Sequence, residues 1–225
     1  MLRRVAKKLG EAIVKLCDAG FFLPSLDLLG FSLGAHLMGY AGKEVKNHGL
    51  LVSRYKMTLF DPAGPLFEGP VSFSGADKDC AKFVVVIHGN PGRLGTVKNV
   101  GTVDFWPNCG SSIQPGCEVT KPGELPPDGC SHNRAWIYFL ESLRINKAFP
   151  ARAASSCDKW KAGEGTDQII YLGDDIDDGV EGKFYFRTNF QETFGLGDEG
   201  TQPVKTNDDL DVGEIGLDVE DDILD

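Results

Sequence analysis

The run Gly30-Phe-Ser-Leu-Gly34 is where residue types and spacing point most directly to chemistry. A short apolar segment, residues 26–29, precedes it, and a helical pattern from about Gly34 to Lys46 follows, so Ser32 falls on a strand-to-helix turn. This is a nucleophile-elbow pattern. A tight turn pushes the serine hydroxyl out at the top of a sheet, and Gly on both flanks removes Cβ atoms expected to collide there. The hydroxyl then lies near a helix N-terminus, whose partial positive charge favours a developing anion. The backbone N–H of Leu33 is the donor expected to face a tetrahedral oxyanion. Alone, the five residues also describe a Gly-rich turn, and context must supply the rest.

A serine used in this way needs a base and an acid that orients the base, and in α/β-hydrolases these follow in the order Ser, acid, His. Asp61 stands directly after an apolar run, residues 55–60, where loops at the C-terminal ends of parallel strands build sites. It also suits a plain turn before Pro62. Four histidines compete for the role of base. His36 sits one helical turn past Ser32 and is expected to point away from it. His48 precedes Asp61. His88, in Ile87-His-Gly-Asn90, resembles an oxyanion-loop His-Gly pair but comes after the serine rather than before it. His132 remains, just after Cys130 and at the start of a helix that Ser131 is placed to cap.

These residues need a framework, and the sequence reads as α/β. Leu2, Val5, Leu9, Ile13 and Leu16 recur at helical spacing. Apolar strands are expected at residues 26–29, 55–60 and 82–87, separated by helical or long crossover segments, which implies a mostly parallel central sheet with flanking helices. Residues 90–129, rich in Gly and Pro, read as functional loops. A helix follows through Trp136 and Leu143. Residues 168–172 and 182–187 read as two strands joined by a solvated hairpin turn at Asp174–Gly179.

The net charge is −10, and residues 198–225 alone hold 11 acids against one base, so the remainder is formally neutral. A basic nucleic-acid surface is thereby excluded. Residues 198–225 are expected to be an acidic, disordered tail beyond a domain spanning 1–197. The apolar stretch 21–38 contains Pro24, Asp27, two Gly and His36 and does not read as a membrane span. Six Cys without C-x-x-C pairs favour disulfides and a secretory setting over zinc, although the N-terminus lacks a convincing signal peptide. Gly195–Gly200 fits G-x-G-x-x-G but precedes no helix, and Asp174–Gly179 lacks the register of a calcium loop. No cofactor and no metal are expected.

Taken together, Gly30-Phe-Ser-Leu-Gly-Ala-His36, Phe60-Asp-Pro-Ala-Gly-Pro65, Phe83-Val-Val-Val-Ile-His88, Asp104-Phe-Trp-Pro-Asn108, Gln114-Pro-Gly-Cys117 and Cys130-Ser-His-Asn-Arg134 resemble the pancreatic lipase family, especially its arthropod members. The resemblance runs from about residue 1 to 197. It implies an α/β-hydrolase fold with Ser32 as nucleophile, Asp61 as triad acid, His132 as base and Leu33 as an oxyanion donor. It also implies a Cys117–Cys130 disulfide closing a lid of 12 intervening residues, short as in phospholipase A1 and insect lipases. The activity implied is extracellular hydrolysis of carboxylic esters of acylglycerols or phospholipids, with a lipid substrate or lipid–water interface as partner.

Relative to the family the chain reads as N-terminally truncated, without the first strands and the His-Gly loop that supplies a second oxyanion donor. Cys80, Val85 and Cys109 replace the usual Asp, Asp and Gly, and the pairing of Cys17, Cys80, Cys109 and Cys157 stays open. One rival is a non-catalytic lipid-binding or yolk-type relative, inactive because of truncation. The other is a serine peptidase or a different α/β-hydrolase, against which the segment from Cys117 to His132 argues.

Overall fold

A computed structural model describes residues 1–21, 26–49, 55–68, 75–119 and 125–203. Seven strands form one sheet: β1 (Asp27–Phe31), β2 (Lys56–Phe60), β3 (Phe83–Ile87), β4 (Val103–Pro107), β5 (Pro150–Ala153), β6 (Ile169–Tyr171) and β7 (Gly182–Phe186). Their order is β1-β2-β3-β4-β7-β5-β6, and only β5 runs against its neighbours. Among the described residues, four α-helices pack around them: α1 (Leu2–Asp18), α2 (Leu33–Asn47), α3 (Pro127–Arg144) and the short α4 (Cys157–Lys161).

Strand β3 is buried throughout, as expected of a central parallel strand covered on both faces. Alternation along it divides the core. Val84 and Val86 join Ile13, Ala35, Val45, Met57 and Leu59 on the side of α1 and α2. Val85 and Ile87 join Phe60, Phe105, Tyr138, Phe139 and Phe186 on the side of α3. This is a three-layer α/β fold, with helices on both faces of the sheet.

Several local expectations are corrected. Residues 90–129 are not all loop, because Val103-Asp-Phe-Trp-Pro107 forms β4 between β3 and β7. Its buried Asp104 and terminal Pro107 interrupt the apolar run that would have marked it. The segments around 169 and 182 are not a hairpin. Strand β5 lies between β6 and β7 and pairs with both, and its Pro-Ala-Arg-Ala sequence has little strand propensity to reveal it. Helix α3 begins at Pro127, so Ser131 is an internal residue whose Oγ accepts from the N–H of Gln114 at 2.9 Å instead of capping.

The packed domain also runs past residue 197. Residues 197–201 form a 3₁₀ turn in which Gly200 and Thr201 are buried, with Trp160 Nε1–H donating to the Thr201 carbonyl at 3.2 Å. The acidic residues from 204 onward lie outside the described residues.

Candidate active site

The C-terminal ends of the parallel strands gather the residues singled out in the sequence. Strand β1 ends at Phe31 and α2 begins at Leu33, leaving Ser32 alone in the turn with φ 55° and ψ −118°. A non-glycine residue with positive φ is strained, and its hydroxyl makes no capping hydrogen bond that would explain its presence. Leu33 opens α2, so its N–H belongs to the first turn, whose amides have no partner within the helix.

The two flanking glycines prove unequal. A Cβ on Gly30 would come within 2.7 Å of the Gly34 carbonyl oxygen and 2.8 Å of Ala35 Cα, so the strand can approach the helix only without a side chain. A Cβ on Gly34 meets nothing within 4 Å among the described residues, so no collision requires glycine there.

Backbone hydrogen bonds lace the elbow to the loop after β2. Ser32 N–H donates to the Phe60 carbonyl at 3.0 Å, and Ala63 N–H donates to the Ser32 carbonyl at 3.3 Å. Asp61 lies between these two anchors, fully buried and with φ 39°. A buried carboxylate is costly unless its oxygens are satisfied. Asp61 Oδ1 accepts from Gly89 N–H at 2.8 Å, and Oδ2 accepts from Asn90 N–H at 2.9 Å and from His132 Nδ1–H at 2.5 Å. Holding Nδ1–H on the carboxylate leaves Nε2 as the face of His132 that can take or give a proton. The imidazole packs on Phe31, the residue before Ser32, with ring centroids 4.5 Å apart.

His132 lies in the second turn of α3, and the neighbouring Cys130 is bonded to Cys117. That disulfide closes residues 118–129, of which 120–124 lie outside the described residues. The second disulfide joins Cys109 to Cys157, and Cys17 and Cys80 are free thiols. The partner of Cys157 is thus Cys109, itself one of the residues that depart from the family pattern.

The other three histidines have partners of their own. His36 is buried, donates from Nε2 to the Ala63 carbonyl at 2.8 Å, and accepts at Nδ1 from the amides of Gly75 and Ala76 at 3.2 and 3.3 Å. Burial pushes its pKa below the ordinary 6.5. It thereby ties the elbow helix to the Asp61 loop. His48 sits at the end of α2 beside Glu44, and His88 is buried against Asp104.

Sequence reasoning missed the groups that hold Asp61. Gly89 and Asn90 supply its amide donors, and a Cβ on Gly95 would lie 2.2 Å from Asp61 Oδ1. The available signal was the abrupt change from the fully apolar β3 to His88-Gly-Asn-Pro91 at the edge of the sheet.

A mostly parallel α/β sheet, with a strained serine between strand and helix, an Asp on the loop after the next strand and a His in the first turns of a later helix, has the architecture of an α/β-hydrolase fold. The Lipase family model matches residues 1–194, and the chain belongs to that family. It is 34% identical to Lipase member H of Mus musculus over 172 residues, 75% of this chain and 37% of that protein. It is 36% identical to Lipase member H of Oryctolagus cuniculus over 163 residues, 72% and 35% of the respective chains. It is 41% identical to Phospholipase A1 VesT1.02 of Vespa tropica over 123 residues, 54% and 38% of the respective chains. The chain thus spans little more than a third of the length of these relatives.

Proposed function

We propose that the chain carries the catalytic centre of an extracellular serine ester hydrolase acting on acylglycerols or phospholipids. The observation that carries this reading is the buried Asp61–His132 hydrogen bond, beside the only turn in which a serine stands with positive φ among the described residues. Ser32 is the nucleophile, His132 the base, Asp61 the acid, and Leu33 N–H an oxyanion donor.

His132 Nε2 removes the Ser32 hydroxyl proton as the oxygen bonds to the ester carbonyl carbon. Negative charge develops on the carbonyl oxygen, opposite the N-terminus of α2. Asp61 keeps Nδ1–H in place and stabilises the imidazolium. As the tetrahedral intermediate collapses, the bond to the leaving alkoxide breaks and His132 returns the proton to it. Water, deprotonated by the same nitrogen, then releases the fatty acid and regenerates Ser32.

Two features favour a lipid surface over a dissolved ester. Every parallel strand that ends near the site is followed by an exposed apolar side chain: Leu33 after β1, Leu66 after β2, Val97 after β3, Val119 after β4 and Phe190 after β7. Exposed apolar side chains thus recur on the segments that follow the C-terminal ends of these strands, and exposed apolar surface of that kind marks interaction sites. The Cys117–Cys130 disulfide, two residues before His132, closes the segment that the family resemblance reads as a short lid. The two disulfides support an extracellular setting. No helix among the described residues is long and apolar enough to cross a membrane.

The test is labelling of the full chain with a fluorophosphonate ester, alongside Ser32→Ala and with circular dichroism of both. Labelling is expected in the parent and absent in the variant. A folded parent that fails to label, or a variant that labels equally, overturns the assignment.

A further inference from the structure

A second histidine–aspartate pair lies one loop away from the first. Asp104, the second residue of β4 and 2% exposed, receives His88 Nε2–H on Oδ1 at 2.8 Å. The same oxygen receives Val100 N–H at 3.2 Å, and Oδ2 receives Gly101 N–H at 3.2 Å. One carboxylate therefore fastens both ends of the loop 88–101. His88 is fully buried, its N–H donates to the Phe105 carbonyl at 3.0 Å, and its ring stacks on Trp106 with centroids 3.7 Å apart and planes 7° apart.

What this clamp holds still is the pair of amides that follow it. Gly89 and Asn90 are the next two residues, and their N–H groups are the ones that meet the two oxygens of Asp61. Gly89 lies close to α3, where an added Cβ would stand 2.6 Å from the Ser131 carbonyl oxygen. A rearrangement at His88 would shift these amides relative to the Asp61 carboxylate, the acceptor of His132 Nδ1–H.

Packing alone does not explain the pair. An apolar side chain of similar volume could fill the place of His88 against Trp106 without burying a carboxylate and an imidazole, and such replacements are often neutral or stabilising. Moreover, Nδ1 of His88 is buried and has no hydrogen-bond partner among the described residues, a cost that a purely structural solution would avoid. The feature the pair does provide is a fixed direction for two backbone donors.

We propose that His88 and Asp104 are positioning residues for the Asp61–His132 pair, acting through the amides of Gly89 and Asn90. This inference rests on the function proposed above. It assigns His88 no contact with substrate.

The experiment uses the full chain and compares His88→Leu, His88→Gln and Asp104→Asn with the parent. Three readouts are taken: kcat and KM on 4-nitrophenyl butyrate per site titrated with fluorophosphonate, the pH profile of kcat/KM, and the downfield proton resonance of His132 Nδ1–H. His88→Leu is expected to lower kcat by about 10- to 100-fold with KM within about twofold, because a misplaced catalytic group costs rate more than binding. With these amides displaced from Asp61, the pH profile of kcat/KM is expected to differ from the parental one. The Nδ1–H resonance is expected to move as well.

His88→Gln, whose side-chain amide can still donate to Asp104, is expected to restore most of kcat and the parental profile. Should His88→Leu not fold, Asp104→Asn carries the same expectations. Folded variants with parental kcat per titrated site, pH profile and resonance overturn the proposal. A parent that neither labels nor hydrolyses overturns the function instead, and the resonance, which needs no substrate, still decides the positioning role: movement supports it and a fixed position refutes it.

Discussion

The molecule holds two histidine–aspartate pairs of similar hydrogen-bond length and opposite orientation. His132 presents Nδ1–H to Asp61, keeps some contact with solvent and leaves Nε2 untied. His88 presents Nε2–H to Asp104, is closed to solvent, and leaves its remaining nitrogen in the interior. On the roles proposed above, the same two residue types make a proton-transfer couple in one place and a clamp in the other. The difference lies in which ring nitrogen is tied down and what the free one faces.

The contrast is broken most severely at the acid. Asp61→Asn retains the shape of the side chain but no longer fixes the tautomer of His132, so kcat is expected to fall by about 10⁴-fold with the fold unchanged. Steady-state kinetics on a soluble ester, normalised to folded protein, checks this against the much smaller loss foreseen for Asp104→Asn. Equal losses would erase the distinction between the two pairs.

A smaller effect tests whether the surroundings of Asp61 matter as much as its charge. Gly95→Ala places a methyl carbon where Asp61 Oδ1 now lies, 2.2 Å away, and the carboxylate must yield. A loss of about 10²-fold in kcat is expected, with KM little changed, since displacement of about 1 Å suffices for that. Parental kcat in a folded Gly95→Ala would show that the Asp61 loop is slack.

The smallest effect concerns the third buried histidine. The pKa of His36 is lowered chiefly by burial, so below the ordinary value of 6.5 the unfolded chain binds a proton that the folded chain refuses. Its contribution is complete above that pH and is lost as pH falls through it, at up to about 1.4 kcal/mol per pH unit. Thermal unfolding between pH 7.5 and 5.5 is expected to show a declining Tm, flatter in His36→Gln. An identical slope in the variant would assign the decline to other groups.

Much of this was legible in the sequence, for identifiable reasons. The ends of α1, α2, β2 and β3 follow from apolar periodicity, which reports burial directly. Asp61 and His132 were brought together by chain order and by their place at strand and helix ends, and the structure joins them. The strand β4 was hidden because its buried Asp104 looks like a loop residue until His88, Val100 and Gly101 are seen to satisfy it. Strand β5 was hidden because Pro150-Ala-Arg-Ala153 is held by neighbours rather than by its own propensity. Gly95 and Asn90 were invisible for a third reason. Their importance is a matter of distance to Asp61, and nothing in a linear string encodes that distance.

Ser32 and Asp61 both occupy backbone conformations that side-chain-bearing residues avoid, with φ of 55° and 39°. Each such placement costs on the order of 1–3 kcal/mol, and glycine would relieve it. A lineage in which Ser32 drifted to glycine would therefore lose the proposed nucleophile and gain stability in a single step. Selection for a robust fold and selection for the serine would pull in opposite directions at this position, so descendants with glycine there would lie thermodynamically downhill from this chain.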